Sequence, residues 1–263
     1  GYGSGMHEIA SILQQNGVDC FGVAYPDEGA QLRRAGIQTP IMVMNPENDN
    51  LDIITQFHLE PEIYSQTSLT QLAHYLSSRR PDYLPFPIHL KFDTGMHRLG
   101  FLPEQLDEAL MFLKQHPNIK VKSVFSHLAA SEDPLMDDFT RKQAEIFEEM
   151  AQKTIRTLEY PVIRHLVNSA GIIRFPEYHF EMVRIGLGLY GIGHDEKTQR
   201  SLQLVSKFSS VISQIKTIRK GEGIGYNLKW RAPADTRIGI VTVGYADGLR
   251  SCLLSTSPSP RDS

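Results

Sequence analysis

The feature that most constrains how this chain can fold is a rhythm. Short apolar runs alternate with amphipathic segments along roughly the first 200 residues. DCFGVA (19–24) reads as a strand, followed by a helix near 26–35 that stops at Gly36. PIMVMN (40–45) is the next strand, and PEIYS (61–65) precedes a helix near 68–79. PIHLKFDTG (87–95) and KVKSVFSHLA (120–129) flank PEQLDEALMFLKQ, in which Leu106, Ala109, Leu110 and Leu113 share one helical face. A long helix near 136–157 follows, and VIRHLVNSAGI and MVRIGLGLYGI complete seven strands. Strand and helix alternating in this way make parallel βαβ units. Ahead of them, Met6, Ile9, Ala10 and Leu13 recur at helical spacing, just after the Gly-rich turn GYGSG. Such a turn is a loop or, before a helix, a cradle for phosphate. A helix and then seven strands predict an α/β fold, a (β/α)8 TIM-type barrel lacking its first strand. An open doubly wound sheet has the same rhythm and stays open as the alternative.

Past residue 200 the period changes. SLQLVSKFSSVISQIKTIRKGEGIGY and TRIGIVTVGYADG alternate or run in β-branched stretches, as strands do. The expected organisation is an α/β barrel over 1–198, the start of a mainly β domain over 199–250, and a Ser/Pro-rich, non-native tail over 251–263. Ordinary globular composition (41% hydrophobic, 22% charged) and a net charge of -3 give no reason to expect nucleic acid or an anionic membrane as partner. No apolar run approaches the length of a membrane span. The ten His form no metal-spaced pair, so no metal is expected, and two distant Cys make no disulfide framework. A reducing, cytoplasmic compartment is the default.

In a barrel of this kind, chemistry collects at the C-terminal ends of the strands. There the sequence places Lys91 and Arg98, then Ser126 and His127, then His165, Asn168 and Ser169, then Arg184, Gly186 and Leu187. Singly, each has a structural explanation: a core His, a surface ion pair, a helix N-cap. Set at successive strand ends, they can converge on one small anionic ligand.

These segments carry a resemblance. GYGSG, FGVAYPDEGAQLRRAGI, LKFDTGMHRLGF, FSHLAASED, HLVNSAG, VRIGLGLYGI, IGYN and VGYADG, in this order, resemble alanine racemase, the pyridoxal-phosphate enzyme that supplies D-alanine for peptidoglycan. The resemblance runs from residue 1 to about 250 and is closest to the racemases of Bacteroidetes-type bacteria. There the racemase often follows a ligase that adds D-alanyl-D-alanine to the cell-wall precursor.

The resemblance implies roles. Ser169, the backbone N–H groups of Gly186 and Leu187, and Tyr2 hold the pyridoxal 5'-phosphate phosphate group. His127 stacks on the pyridine ring. Arg184 hydrogen-bonds the ring nitrogen and is held by His165, with Asn168 in support. Arg98 steers the cofactor phenolic oxygen and the substrate carboxylate, and Lys91 matches a position that is carbamylated in some relatives, where it fixes that Arg. Racemisation needs a base on each face of Cα: the Schiff-base lysine and a Tyr from the partner of a homodimer with shared active sites. Tyr226, in GIGYN, matches that Tyr.

The same resemblance seats the Schiff-base lysine four residues before Tyr2, ahead of Gly1, and further phosphate contacts beyond the last residue. The expectation is therefore a fragment of a racemase that does not itself racemise alanine. A pyridoxal-phosphate-binding barrel concerned with cofactor homeostasis is the alternative, opposed by the β stretch with Tyr226. An amino-acid decarboxylase is opposed by Arg184, where such enzymes set an acid. A noncatalytic dimerisation module is a third reading, separable by cofactor absorbance.

Overall fold

The structure is a computed structural model, and it describes residues 5–79, 81, 83–205, 207, 209–244 and 247. Tyr2 and the 251–263 tail lie outside the described residues. The chain divides into two compact units, Gly1–Gln203 and Leu204–Ser263.

The first unit is built on parallel strands laid down in sequence order. Helix α1 (Met6–Gln15) precedes β1 (Phe21–Val23), α2 (Pro26–Arg34), β2 (Ile41–Val43), α3 (Leu51–Gln56) and β3 (Glu60–Ile63). Helix α4 (Gln66–Arg79), β4 (Phe86–Lys91), α5 (Leu106–Gln115), β5 (Ile119–Phe125), α6 (Asp137–Leu158), β6 (Ile163–His165), α7 (Ser169–Arg174) and α8 (Glu196–Ser201) complete it. The six strands form one sheet in the order β1-β2-β3-β4-β5-β6, and each neighbouring pair is parallel. The sheet curls into a half-barrel, which bears out the barrel class with helices outside.

Local chemistry explains the elements. Pro26 opens α2 at the position where its missing N–H costs nothing. The Glu28 carboxylate reaches back to accept from the Ala24 and Tyr25 N–H groups, at 2.7 and 3.1 Å. In α5 the four apolar residues of the predicted face, Leu106, Ala109, Leu110 and Leu113, are all buried. Phe86, Ile88 and Leu90 of β4 and Val121 and Val124 of β5 are buried too, as strands covered on both faces must be. Sheet and helices together form one core.

One predicted strand is not formed. The segment that carries Arg184 runs beside β6 through only two backbone bonds, Met182 N–H to the Arg164 carbonyl and Arg184 N–H to the Val167 carbonyl. At Gly186 it turns into a short 3-10 helix, Leu187–Tyr190. Its seventh place in the rhythm is real, but two bonds before a glycine-rich turn do not extend into a ladder. Helix α1 forms as the sequence predicts, and of its apolar face Ala10 is buried while Met6, Ile9 and Leu13 are half-buried.

The second unit contains β7 (Ile212–Ile218), β8 (Gly223–Ile224), β9 (Trp230–Arg231) and β10 (Thr236–Val241). β10 pairs antiparallel with β7, and β8 with β9. Ala232 and Ile238 are its buried apolar side chains among the described residues.

Candidate active site

The site grows from the C-terminal ends of β4, β5 and β6. After β4 the chain makes a tight excursion and returns, so that Phe92 pairs with Phe101. Asp93 shapes the turn: its Oδ1 accepts from the Gly95 and His97 N–H groups, both at 3.0 Å. Gly100, at φ +136°, closes it, because a Cβ there would strike the Asp93 amide. Arg98 rides this turn, exposed, and makes no side-chain hydrogen bond among the described residues. Ser126 ties the turn to β5: its hydroxyl donates to the Phe92 carbonyl at 2.8 Å and meets the Thr94 hydroxyl at 2.8 Å.

Arg184 is the centre of the site. Its Nη1 contacts His165 Nδ1 at 2.7 Å and donates to the His165 carbonyl at 2.9 Å. Its Nη2 donates to the carbonyls of Ser126 and Leu166, at 2.6 and 2.9 Å. A guanidinium has five N–H donors and no acceptor. Four are spent on holding the side chain, and the Nε–H donates to nothing among the described residues. Loss of water pushes the Arg184 pKa down to about 10, with Glu62 acting in the other direction, so the group remains a cation at neutral pH.

His127 lies at the edge of this arrangement, with Nδ1 at 3.5 Å from Arg184 Nη2. Burial, and then the cations Arg184, Arg98 and Lys91, push it down to about 4, so it is a neutral imidazole at any working pH. His165 is held well below its usual value by burial and by Arg184. On the next turn, Asn168 caps α7 by accepting from Gly171 N–H at 3.0 Å and receives the Ser131 hydroxyl at 2.8 Å. The Ser169 hydroxyl accepts from two backbone N–H groups, Gly186 at 2.9 Å and Gly188 at 3.2 Å. Convergent N–H groups with a hydroxyl among them can turn to an oxyanion.

Lys91 is buried, and its Nζ donates to Glu62 Oε1 at 3.0 Å. The second Glu62 oxygen is buried and has no hydrogen-bond partner among the described residues. Burial raises Glu62 to about 7, against the pull of Lys91, Arg98 and Arg184.

Hydrogen bonds thus join His165, Arg184 and His127 in one group and Ser169 and Gly186 in another, and Arg98 and Lys91 act on His127 through their charge. Tyr226 belongs to the second unit and is fully exposed. The sequence reading missed Glu60, Glu62, His89, Ser123 and Gly188. A signal for the first three was present: polar residues at i and i+2 within apolar runs, Glu60 and Glu62 in one strand, His89 and Lys91 in the next, point to one face.

Pyridoxal phosphate suits these donors. A phosphate dianion needs clustered N–H groups, such as those of Gly186 and Gly188 beside Ser169, and an accepting ring nitrogen would need a donor, which the Arg184 Nε–H, unused among the described residues, could be. Among the described residues no cluster of His, Cys, Asp or Glu could hold a metal ion, and no helix is long and apolar enough to cross a membrane.

Comparison with known proteins gives one consistent result. Residues 1–194 match the family described as alanine racemase, N-terminal domain, and residues 205–259 match alanine racemase, C-terminal domain. The chain is 34% identical over 252 residues to the alanine racemase of a Nostoc species, covering 94% of this chain and 65% of that protein. Its fold superposes on the alanine racemase of Streptomyces lavendulae with a TM-score of 0.85 at 27% identity, over 94% of this chain and 66% of that one. The Bacillus anthracis alanine racemase gives a TM-score of 0.78 at 27% identity, over 94% and 64%. The chain thus spans about two thirds of the length of its relatives.

Proposed function

The chain belongs to the alanine racemase family, and from that premise we propose that it forms the cofactor site of an enzyme that interconverts L- and D-alanine with pyridoxal phosphate. The observation that carries this reading is Arg184, a cation fixed through four of its N–H groups with the fifth uncommitted among the described residues. The solved Bacillus anthracis relative holds bound L-Ala-P, an alanine analogue by its name, which supports alanine as the substrate.

When bound, pyridoxal phosphate supplies an electron sink that acidifies the alanine Cα–H. The chain's own residues do the rest. Ser169 and the N–H groups of Gly186 and Gly188 hold the phosphate, with Leu187 and Tyr2 in support. Arg184 would donate to the ring nitrogen through Nε and, a cation at neutral pH, would hand over no proton, which would limit the sink and favour return of a proton to Cα. His127, neutral and flat, packs on the ring. Arg98 receives the substrate carboxylate from its exposed turn. His165 and Asn168 keep Arg184 and Ser169 in place.

Tyr226 is the second base, offered to the site of a partner subunit in a homodimer. Its full exposure supports that role, since a base given to another subunit must project from its own. A cytoplasmic site, where D-alanine for peptidoglycan is made, completes the reading.

The test uses this chain within a protein of its relatives' full length. With added pyridoxal phosphate it should convert L- to D-alanine, followed by chiral separation. Tyr226→Phe should lower kcat about a hundredfold or more. Run beside it, the 263-residue chain checks the expectation of an inactive fragment. Tight cofactor binding by the extended protein without any conversion of alanine would overturn the racemase reading in favour of a binding protein.

A further inference from the structure

Behind Arg184 lies a line of buried polar groups to which the proposed chemistry assigns nothing. His165 Nε2 is 2.8 Å from the Ser123 hydroxyl, and that hydroxyl is 2.6 Å from His89 Nδ1. His89 Nε2 is 2.9 Å from Glu60 Oε2, and Lys122 Nζ reaches both Glu60 oxygens at 2.7 and 2.9 Å. Glu60, His89, Ser123 and His165 sit on four successive strands, all buried.

Elementary donor counting gives this line a single direction. A guanidinium only donates, so His165 Nδ1 must be bare and its one proton must sit on Nε2. That proton points at Ser123 Oγ. Ser123 has one hydroxyl hydrogen, and His165 Nε2 is already occupied, so it goes to His89 Nδ1. His89 then carries its proton on Nε2 and gives that hydrogen bond to the Glu60 carboxylate. Read from the other end, an ionised carboxylate only accepts, and the same arrangement results. Burial holds both imidazoles below their ordinary pKa values, so the charges lie at the ends, on Arg184 and on Glu60 with its partner Lys122. Hydrogen bonds aligned head to tail polarise one another.

We propose that Ser123, His89 and Glu60 are positioning residues for Arg184: they lock His165 in its Nε2–H tautomer and connect the guanidinium to a carboxylate through three intervening side chains. This rests on the reading of Arg184 as the donor to the ring nitrogen. It explains why no acid touches Arg184 among the described residues. A carboxylate in direct contact would compete for the Nε–H; at the end of the line it steadies the cation and leaves that donor uncommitted. Glu62 cannot take this part, because Lys91 holds it.

The experiment reads the line itself, with no cofactor and no turnover. In the 263-residue chain labelled with 15N-histidine and 15N-arginine, long-range nitrogen–proton correlations report the tautomer of each imidazole, and the arginine signals report guanidinium exchange. His89 and His165 should both be Nε2–H from pH 6 to pH 8, a window set by their roughly neutral reference value. Ser123→Ala should release His89 into a tautomer mixture and make the Arg184 guanidinium N–H exchange about tenfold faster, the worth of one net hydrogen bond. Ser123→Thr, which keeps the hydroxyl, should restore both signatures. Should Ser123→Ala fail to fold, Glu60→Gln reads the far end, with faster Arg184 exchange while the amide oxygen still accepts from His89. A His89 or His165 found as Nδ1–H, or Arg184 exchange unmoved by both variants, overturns the proposal. If the tautomers are as stated but Arg184→Lys leaves racemisation intact in the extended protein, the functional reading fails and the line stands.

Discussion

Glu60 and Glu62 stand two residues apart on β3, both buried, and their chemistry is opposite. Glu60 is desolvated, yet the bonds from His89 and Lys122 outweigh that and hold it below the usual carboxylate range. Glu62 has one partner, Lys91, and one buried oxygen with none; desolvation wins, and its pKa rises to about 7. The difference shows that burial alone does not decide the state of a carboxyl. The number of donors aimed at it does. It also separates two ends of the strand array: at Glu60 the charges are saturated, while at Glu62 the cations Lys91, Arg98 and Arg184 share one carboxylate.

The largest expected effect tests that asymmetry directly. Lys91→Met removes the sole bond of a buried carboxyl and should destabilise the chain by about 4 kcal/mol at pH 8 in chemical denaturation. The half-exposed Lys122 leaves Glu60 still bonded to His89, so Lys122→Met should cost only about 1 kcal/mol. Equal losses would erase the contrast.

The next effect is a pH slope of opposite sign at the two carboxyls. The folded chain keeps the Glu62 proton up to about pH 7, whereas the unfolded chain loses it near 4.5. Between those values the folded state binds more protons, so stability falls as pH rises, by up to about 3 kcal/mol. Glu62→Gln should abolish this slope. Glu60, held low, contributes stability present above 4.5 that is lost as pH falls through its folded value. Glu60→Gln should remove that acid-side loss, and denaturation midpoints across pH separate the two.

A smaller slope belongs to His127. Its folded pKa of about 4 lies below the ordinary 6.5, so the folded state binds fewer protons between them. Stability should fall as pH drops through that window, by about 2 kcal/mol after allowing for partial exposure. His127→Asn should flatten this part of the curve. The smallest effect is Tyr226→Phe. Its ring is fully exposed, so the melting behaviour should shift by less than about 0.5 kcal/mol. A large loss of stability would mean that the side chain is structural.

Much of this was legible beforehand. Apolar periodicity located all six strands of the sheet and the helices α2, α4, α5 and α6 between them, because one-sided or two-sided burial leaves its period in the sequence. It overcounted once: the Arg184 segment has the composition of a strand, but its glycines bend it away after two bonds. The short helices α3, α7 and α8 left no trace, since six residues carry less than two turns of pattern. His127, His165 and Ser169 lie at or just past the ends of β5 and β6, while Arg184 lies in the segment that forms no strand.

What the sequence determined by itself is the order of elements, the faces that turn inward, and the set of side chains brought to one end. It could place Glu60, Glu62, His89 and Lys91 on inward positions of neighbouring strands, since alternation fixes the face. Only the tertiary structure decided the partners. Whether His89 meets Glu60 or Glu62 depends on the stagger between β3 and β4, and whether Ser123 bridges two imidazoles depends on the register of β5. A shift of one residue flips the face, and a shift of two keeps the face and exchanges every partner. Register is set by the packing of all the helices and strands together, so the pairing that fixes the state of each buried charge is not written in any local stretch of the chain.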